Sequence, residues 1–313
     1  MIVFFISFLL MERALQLQDY ANDIKLFEPY KRYDKDYANE DEMAKELKEL
    51  GNLIHDQCGM HHKPDFDPHN FDESFRYIHA FLNVRQPYTL SPRVYELIDH
   101  ALIHRLLHSS ITEVQALKHI TNRKIANYKN IILWRGDISL LRVDAIVNAA
   151  NSQMLGCFRP FHKCIDNVIH TFAGPRLRDD CNIFMQKQGF EEPTGTAKIT
   201  RAYNLPSSFV IHTVGPIYDP SRSEICKKLL ISCYKSCLEV ASQVESIRSI
   251  AFCCISTGVF MFPKEEAAQI AVQTVDQWLT EHPERFDQIV FNVFTPDDLE
   301  IYSNLLIEND KEI

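Results

Sequence analysis

Two cysteines and one histidine occur within eight residues of the chain, at Cys157, His162 and Cys164. Thiolate and imidazole groups together suit Zn²⁺, and three protein ligands leave a fourth coordination position for water or substrate. The alternative is a buried cysteine pair beside a surface histidine, because cysteine is common in protein cores. A core segment does not need polar residues such as Arg159 between its thiols. We therefore predict a site for one zinc ion at these three residues.

The predicted metal ligands lie between a strand and a helix. The strand is the apolar stretch 143–147, and the helix is indicated by apolar residues with helical spacing, namely Ile165, Val168, Ile169 and Phe172. The pair Gly174-Pro175 is a helix stop signal. Unpaired N–H groups and the positive end of the helix dipole meet at such a helix start, where open α/β sheets bind ligands. The loop is therefore predicted to present its side chains at a ligand site.

A second candidate loop follows another apolar strand and precedes a helix that begins near Pro263. Its residues are Ser256, Thr257, Gly258, Val259 and Phe260. Main-chain N–H groups in such a loop can surround an anion, and glycine permits the close approach of a phosphate. The alternative is an ordinary turn. The strand before the loop and the helix after it favour a phosphate site.

Three polar residues are further candidates, each with a structural alternative. Asp137 follows a glycine at the end of the first strand, where its carboxylate can accept from an exocyclic amine or cap a turn. Asn151 can donate and accept at once, which suits a pair of sugar hydroxyls, but asparagine also commonly ends a turn. Asp166 stands in the first turn of the predicted site helix, where the helix dipole favours an acid.

From residue 130 onward, strand-like runs alternate with amphipathic helical runs, which predicts a central sheet covered by helices. The predicted strands are 131–133, 145–147, 197–200, 209–214, 247–255 and 288–295. The predicted helices are 165–172, 224–244, 263–279 and 296–307. The chain before them is predicted to be helical at 41–54, 75–82, 93–107 and 112–120. We therefore predict a mostly helical N-terminal region, 1–125, and an α/β domain, 126–313.

The composition favours a globular cytoplasmic protein. The net charge of −9 argues against nucleic acid as a partner, because proteins that bind the phosphate backbone usually carry a basic face. Nine cysteines are an odd number for a disulfide framework, so a reducing compartment fits better. The apolar run 1–10 is too short to span a membrane. It lacks a basic stretch before it and a cleavage site after it, so we expect a misassigned start rather than secretion.

Five motifs resemble those of the macrodomain family, which binds ADP-ribose. They are Gly136-Asp137-Ile138, the stretch 144–151 (DAIVNAAN), 193–200 (PTGTAKIT), 210–218 (VIHTVGPIY) and 255–263 (ISTGVFMFP), and they occur in the family order over about residues 131–308. The resemblance implies a three-layer α/β/α fold with a mixed central sheet. It also implies that the adenine is bound by Asp137, Ile138 and Phe294, although Phe294 as a core aromatic fits the pattern equally well. The distal ribose is implied to lie at Asn151 and Asp166, with Phe260 shielding it.

One stretch departs from the common family pattern. Where typical members have a run of glycines after NAAN, this chain has 156–166 (GCFRPFHKCID), so the usual path of the first phosphate loop cannot be assumed. The cysteines and the histidine resemble the zinc-dependent branch of macrodomains, whose members remove mono-ADP-ribose from proteins and carry a helical N-terminal extension.

This second resemblance implies a zinc-dependent hydrolase of mono-ADP-ribosylated proteins, and we expect a carboxylate ester as the scissile bond. Zinc would act as a Lewis acid or lower the pKa of a bound water, while Asn151 and Asp166 would orient the ribose and the attacking water. Two alternatives are a non-catalytic ADP-ribose-binding module with structural zinc and an O-acetyl-ADP-ribose deacetylase.

Overall fold

The computed structural model describes residues 13–32, 40–58, 64–87, 90–122 and 124–307. The apolar run 1–10, and the expectation about the start of the chain, lie outside the described residues. In the described part of the chain, no helix is both long enough and apolar enough to cross a membrane.

The domain is built on a six-stranded mixed sheet. Strand bounds in chain order are β1 Thr112–Glu113, β2 Ile131–Arg135, β3 Leu141–Arg142, β4 Ala145–Ala150, β5 Ala197–Arg201, β6 Phe209–Val214, β7 Ser249–Phe252 and β8 Gln288–Val293. The large sheet has the order β2-β8-β7-β4-β6-β5. Its pairs are parallel except for β5 and β6, which are antiparallel. The central strands are buried on both faces, which explains their nearly continuous apolar sequences.

Helices cover this sheet and precede it. Their bounds are α1 Leu17–Tyr20, α2 Glu40–Cys58, α3 Phe71–Val84, α4 Pro92–Leu107, α5 Ile165–Ala173, α6 Pro175–Gln188, α7 Ser223–Ser242, α8 Lys264–Glu281 and α9 Pro296–Leu306. Helix α5 packs against β4 and α6 against β5, while α7 contacts β5 and β6 and α9 contacts β2. The predicted α/β fold with a mixed central sheet and a helical region before it is confirmed.

The N-terminal region contributes to two separate cores. Helices α2, α3 and α4 share an apolar core of their own, with Leu50, Ile54, Ile78 and Val94 almost fully buried. Each such side chain contributes about 1.5–3 kcal/mol through burial. Residues 17–26 instead pack on the core of the α/β domain, where the Tyr20 hydroxyl accepts from the Ile199 N–H at 2.8 Å. The boundary near residue 125 stays a prediction.

Two of the local predictions were wrong. The stretch 112–120 was expected to be helical, but Thr112–Glu113 pairs with Leu141–Arg142 as a short parallel sheet and a 3-10 turn follows. Gly174-Pro175 was interpreted only as a stop, but it also begins α6. Gly174 has φ +91, which glycine adopts without strain, and Pro175 fits the first turn of a helix because it needs no N–H partner there.

Candidate functional site

A cavity of about 870 Å³ opens at the carboxyl ends of β2, β4, β7 and β8. These strands are parallel, so their ends meet at one edge of the sheet, where ligands bind in α/β folds. Most of the predicted binding residues line this cavity, together with one predicted metal ligand: Asp137, Ile138, Cys164, Ser256, Thr257, Gly258, Val259, Phe260 and Phe294.

One end of the cavity is formed by Asp137, Ile138 and Phe294. Asp137 caps a short 3-10 turn, and its Oδ1 accepts from the N–H and the hydroxyl of Ser139 at 2.9 and 2.7 Å. The second carboxylate oxygen remains for a ligand amine. Phe294 is 75% exposed and lies on the cavity wall, so its interpretation as a core aromatic was wrong.

The loop 256–260 has the geometry of an anion site. Ser256 has φ +66, and its buried hydroxyl has no hydrogen-bond partner among the described residues. None of the main-chain N–H groups from 257 to 260 donates a hydrogen bond to any acceptor in the described part of the chain. A Cβ atom on Gly215 would lie 2.1 Å from the Ser256 hydroxyl oxygen, so any other residue here would force the Ser256 hydroxyl out of its present position. The loop thus offers several unsatisfied donors to one ligand.

The three predicted metal ligands are brought together. Their donor atoms all lie within 4.8 Å of one another, and Cys157 Sγ is 3.6 Å from His162 Nδ1. Zinc bonds of about 2.0–2.3 Å place tetrahedral ligand atoms roughly 3.4–3.8 Å apart, so this donor set fits the ion.

Cys164 must lose its proton to bind a metal ion. Cys164 caps α5, with its Sγ accepting from the Asn167 N–H at 3.4 Å. Burial, and then the nearby Cys157 thiol, raise the pKa of the Cys164 thiol to about 12. A divalent cation between the two sulfurs would offset the cost of ionising them.

Comparison with known proteins identifies the family to which this fold belongs. A sequence profile described as Macro domain matches residues 147–271. The protein-ADP-ribose hydrolase of Treponema medium is 47% identical over 239 residues, which are 76% of this chain and 90% of the relative. The chain belongs to the macrodomain family. The protein-ADP-ribose hydrolase of Staphylococcus aureus strain Mu50 is 45% identical over 240 residues, covering 76% of this macrodomain chain and 87% of the relative.

Solved macrodomain structures share the fold. The Trypanosoma brucei macrodomain in complex with ADP-ribose matches with a TM-score of 0.55 at 29% identity, covering 73% of this chain and 94% of that one. The Oceanobacillus iheyensis macrodomain with ADP matches with a TM-score of 0.50 at 39% identity, covering 56% of this chain and 90% of that one. The resemblance inferred from five motifs is therefore confirmed.

The two predicted catalytic residues of this macrodomain lie together, but not on the cavity wall. Asn151 Nδ2 is 3.4 Å from Asp166 Oδ2, and Asn148 Nδ2 donates to Asp166 Oδ1 at 2.8 Å. Asp166 is only 5% exposed, and burial raises the pKa of its carboxyl to about 6. Asn151 also donates to the carbonyl of Gly156 at 3.1 Å, which joins it to the predicted metal loop, residues 156–164.

Two asparagines that the sequence did not single out hold the predicted metal loop in place. Asn167 Nδ2 donates to the carbonyl of Arg159 at 3.0 Å. Asn83, from α3, accepts from the Phe161 N–H and donates to the Thr171 hydroxyl, both at 2.9 Å. Asn83 lies 78 residues before Phe161, so no local pattern connects them. Asn167 directly follows the predicted Asp166 in the first turn of α5, and that position was the only available signal.

A second group of ligand-type side chains lies beneath the site. His170, Cys181 and His212 are buried, and their donor atoms lie within 4.8 Å of one another. His212 has hydrogen-bond partners in Asn148 and Thr200, and burial lowers its pKa to about 3. Neither ring nitrogen of His170 has a hydrogen-bond partner among the described residues.

Proposed function

We propose that this macrodomain is a zinc-dependent hydrolase that binds ADP-ribose and removes mono-ADP-ribose from modified proteins. One observation carries the proposal: Cys164 belongs to a set of three metal-type ligands and also lines the cavity that contains Asp137 and the loop 256–260. A metal held by a separate structural loop would not need to border that cavity. Relatives that are 45–47% identical over about three quarters of this chain are protein-ADP-ribose hydrolases.

The cavity residues bind the nucleotide in an extended orientation. Asp137 accepts from the exocyclic amine of adenine, and Phe294 packs against the base. The N–H groups of 257–260 and the Ser256 hydroxyl bind the diphosphate. Phe260 shields the distal ribose, which lies toward Cys164. The cavity of about 870 Å³ is of the size usual for small-molecule sites.

Cys157, His162 and Cys164 would hold one Zn²⁺. When bound, the ion supplies a Lewis acid for an oxygen of the substrate, or lowers the pKa of a bound water toward neutrality. Asn151 and Asp166 orient the distal ribose and the attacking water. The positions of these two residues support this role, because they are hydrogen-bonded to each other and Asp166 follows Cys164 by two residues. Because Asp166 is buried behind the loop, its direct contact with substrate stays a prediction.

We infer that the scissile bond is an ester to a protein carboxylate. A carboxylate leaves more readily than an amine or a guanidine, so this linkage makes the smallest demand on a general acid. The partners are then ADP-ribose and mono-ADP-ribosylated proteins, with neither nucleic acid nor membrane involved. A cytoplasmic location is supported by the eight cysteines whose side chains are described, all of which are free thiols.

The test is release of free ADP-ribose from a protein modified on aspartate or glutamate. We expect release by the metal-loaded wild type, and loss of release after chelation or in Cys164→Ser, with ADP-ribose binding retained. Binding without any release would indicate a non-catalytic module with structural zinc. Faster turnover of O-acetyl-ADP-ribose in a parallel assay would indicate a deacetylase. Release that survives complete metal removal would exclude the zinc-dependent activity.

A further inference from the structure

Arg105, in the N-terminal helical region, lies on the wall of the nucleotide cavity. It is in the last turn of α4, whereas every other described residue that lines this cavity lies between 136 and 298. The macrodomain motifs therefore form the cavity together with one cation from a segment that precedes all of them.

The Arg105 guanidinium is placed against an aromatic ring. Its Cζ lies 3.4 Å from the centroid of the Phe172 ring, and Phe172 lines the same cavity. A guanidinium is planar and stacks on aromatic faces, so Phe172 can occupy one face while the other faces the cavity.

The charge of Arg105 is only weakly compensated. Burial lowers its pKa, and Asp137 is the acid that acts against this shift. Among the residues that the structure describes, no carboxylate lies within salt-bridge distance of it. A partly buried arginine without an ion pair is unusual unless a ligand provides a partner.

The position of Arg105 corresponds to the base end of the cavity. Cys164, a predicted metal ligand, caps the N-terminus of helix α5, and Phe172 lies near the other end of this helix. Phe172 lies seven positions after Ile165 in the helix, which is a rise of about 10 Å. The electrostatic partner Asp137 is the residue assigned to the adenine amine. Arg105 is thus remote from the predicted site of bond cleavage.

We propose that Arg105 is an adenine-binding residue whose guanidinium stacks between the base and the Phe172 ring. The N-terminal helical region then supplies part of the ligand site. This inference rests on the proposed function, since it takes ADP-ribose as the ligand and the Asp137 end as the base end. A guanidinium over a π-system contributes to binding in proportion to its desolvation.

The experiment measures Kd for ADP-ribose and ADP. It also measures how strongly ribose 5-phosphate, which has no base, inhibits the release of ADP-ribose from a modified protein. Arg105→Met keeps an unbranched side chain on Phe172 but removes both the positive charge and the planar guanidinium group. Arg105→Lys keeps the positive charge without the planar group. We expect Arg105→Met to weaken both adenine ligands about 3- to 30-fold, with the lysine variant intermediate. Inhibition by ribose 5-phosphate and kcat should not change, while KM rises.

Arg93→Met is the matched control, because Arg93 is on the same helix and pairs on the surface with Glu49 and Glu96. It should bind all ligands as the wild type does. Unchanged Kd for ADP-ribose in Arg105→Met overturns the assignment. An equal loss for ribose 5-phosphate also overturns it, since that pattern indicates general loosening of the site. If the wild type itself failed to bind ADP-ribose, the proposed function would fail and this assignment with it.

Discussion

The side-chain oxygen of Asn83 accepts a hydrogen bond at 2.9 Å from the main-chain N–H of Phe161, the residue before the predicted metal ligand His162. The other end of the Asn83 amide donates to Thr171 on α5. Asn83 is 1% exposed, so these bonds are formed away from solvent. A buried residue of the N-terminal region thus joins the metal loop to the helix that carries Cys164.

Replacing Asn83 tests this connection. Asn83→Ala leaves the Phe161 N–H without its acceptor, which should lower the free energy of unfolding by about 1–3 kcal/mol. Zinc affinity should also fall, because Asn167 is then the one remaining asparagine of the two that order the loop in the absence of metal. Urea unfolding and competition with a chromophoric chelator measure the two effects. Asn52→Ala is the control, because Asn52 is exposed on α2. Wild-type zinc affinity in Asn83→Ala would show that the loop is ordered without this residue.

Metal content is the most direct test of the predicted ligands. We expect one zinc per chain in the wild type and far less than one in Cys164→Ser, because a hydroxyl is a much poorer ligand than a thiolate. Cys226→Ser should keep its full zinc content, since Cys226 is buried on α7 away from the loop. Elemental analysis after dialysis gives the stoichiometry. Full occupancy in Cys164→Ser would remove this residue from the ligand set.

Substitutions of two glycines, Gly215 beside the loop 256–260 and Gly258 within it, should have different effects on stability and binding. Gly215→Ala should destabilise the fold and weaken ADP-ribose binding, because its Cβ would lie 2.1 Å from the Ser256 hydroxyl oxygen. A Cβ on Gly258 meets nothing within 4 Å. Gly258→Val should therefore leave the melting temperature nearly unchanged and still reduce affinity by about tenfold or more, by filling the space of the phosphate. Calorimetric titration and thermal melts separate the two effects. Tight ADP-ribose binding by Gly258→Val would place the diphosphate elsewhere.

Whether a feature of the site could be predicted from the sequence depends on how far apart its residues lie in the chain. The clustering of Cys157, His162 and Cys164 was predictable because they are neighbours in the chain, and the position of the loop 256–260 on the cavity was predictable because a strand and a helix flank it. The Phe209–Val214 strand was predicted with its observed bounds, since aromatic and β-branched residues fill most of it. Asn83 and Arg105 were not predictable, because their roles arise only when helices α3 and α4 pack on α5.

The pH dependence of stability should include a contribution from Asp180. Burial raises the pKa of its carboxyl from 3.8 to about 7, although the Tyr203 hydroxyl donates to it. The native state therefore holds this proton more tightly than the unfolded chain does. The resulting stabilisation is complete below about pH 4 and is lost as the pH rises toward 7.

Asp180→Asn removes this titration and keeps an acceptor for Tyr203. The variant should gain stability relative to the wild type between pH 4 and 7, by up to about 3 kcal/mol. Urea unfolding at four or five pH values gives the difference. A constant difference across this range would mean that Asp180 is ionised throughout in the native protein.

Substituting Asp166 separates a catalytic role from a structural one. Asp166→Asn keeps an acceptor for the Asn148 amide but removes the negative charge next to Asn151. If the charge orients the ribose and the attacking water, kcat should fall by about 10²-fold or more, while zinc content and the Kd for ADP-ribose stay near wild type. Asn151→Ala should show the same pattern, and the double variant should be little worse than either single one, because the two residues act as a unit. Parallel loss of zinc and activity in Asp166→Asn would instead assign Asp166 to the support of the metal loop.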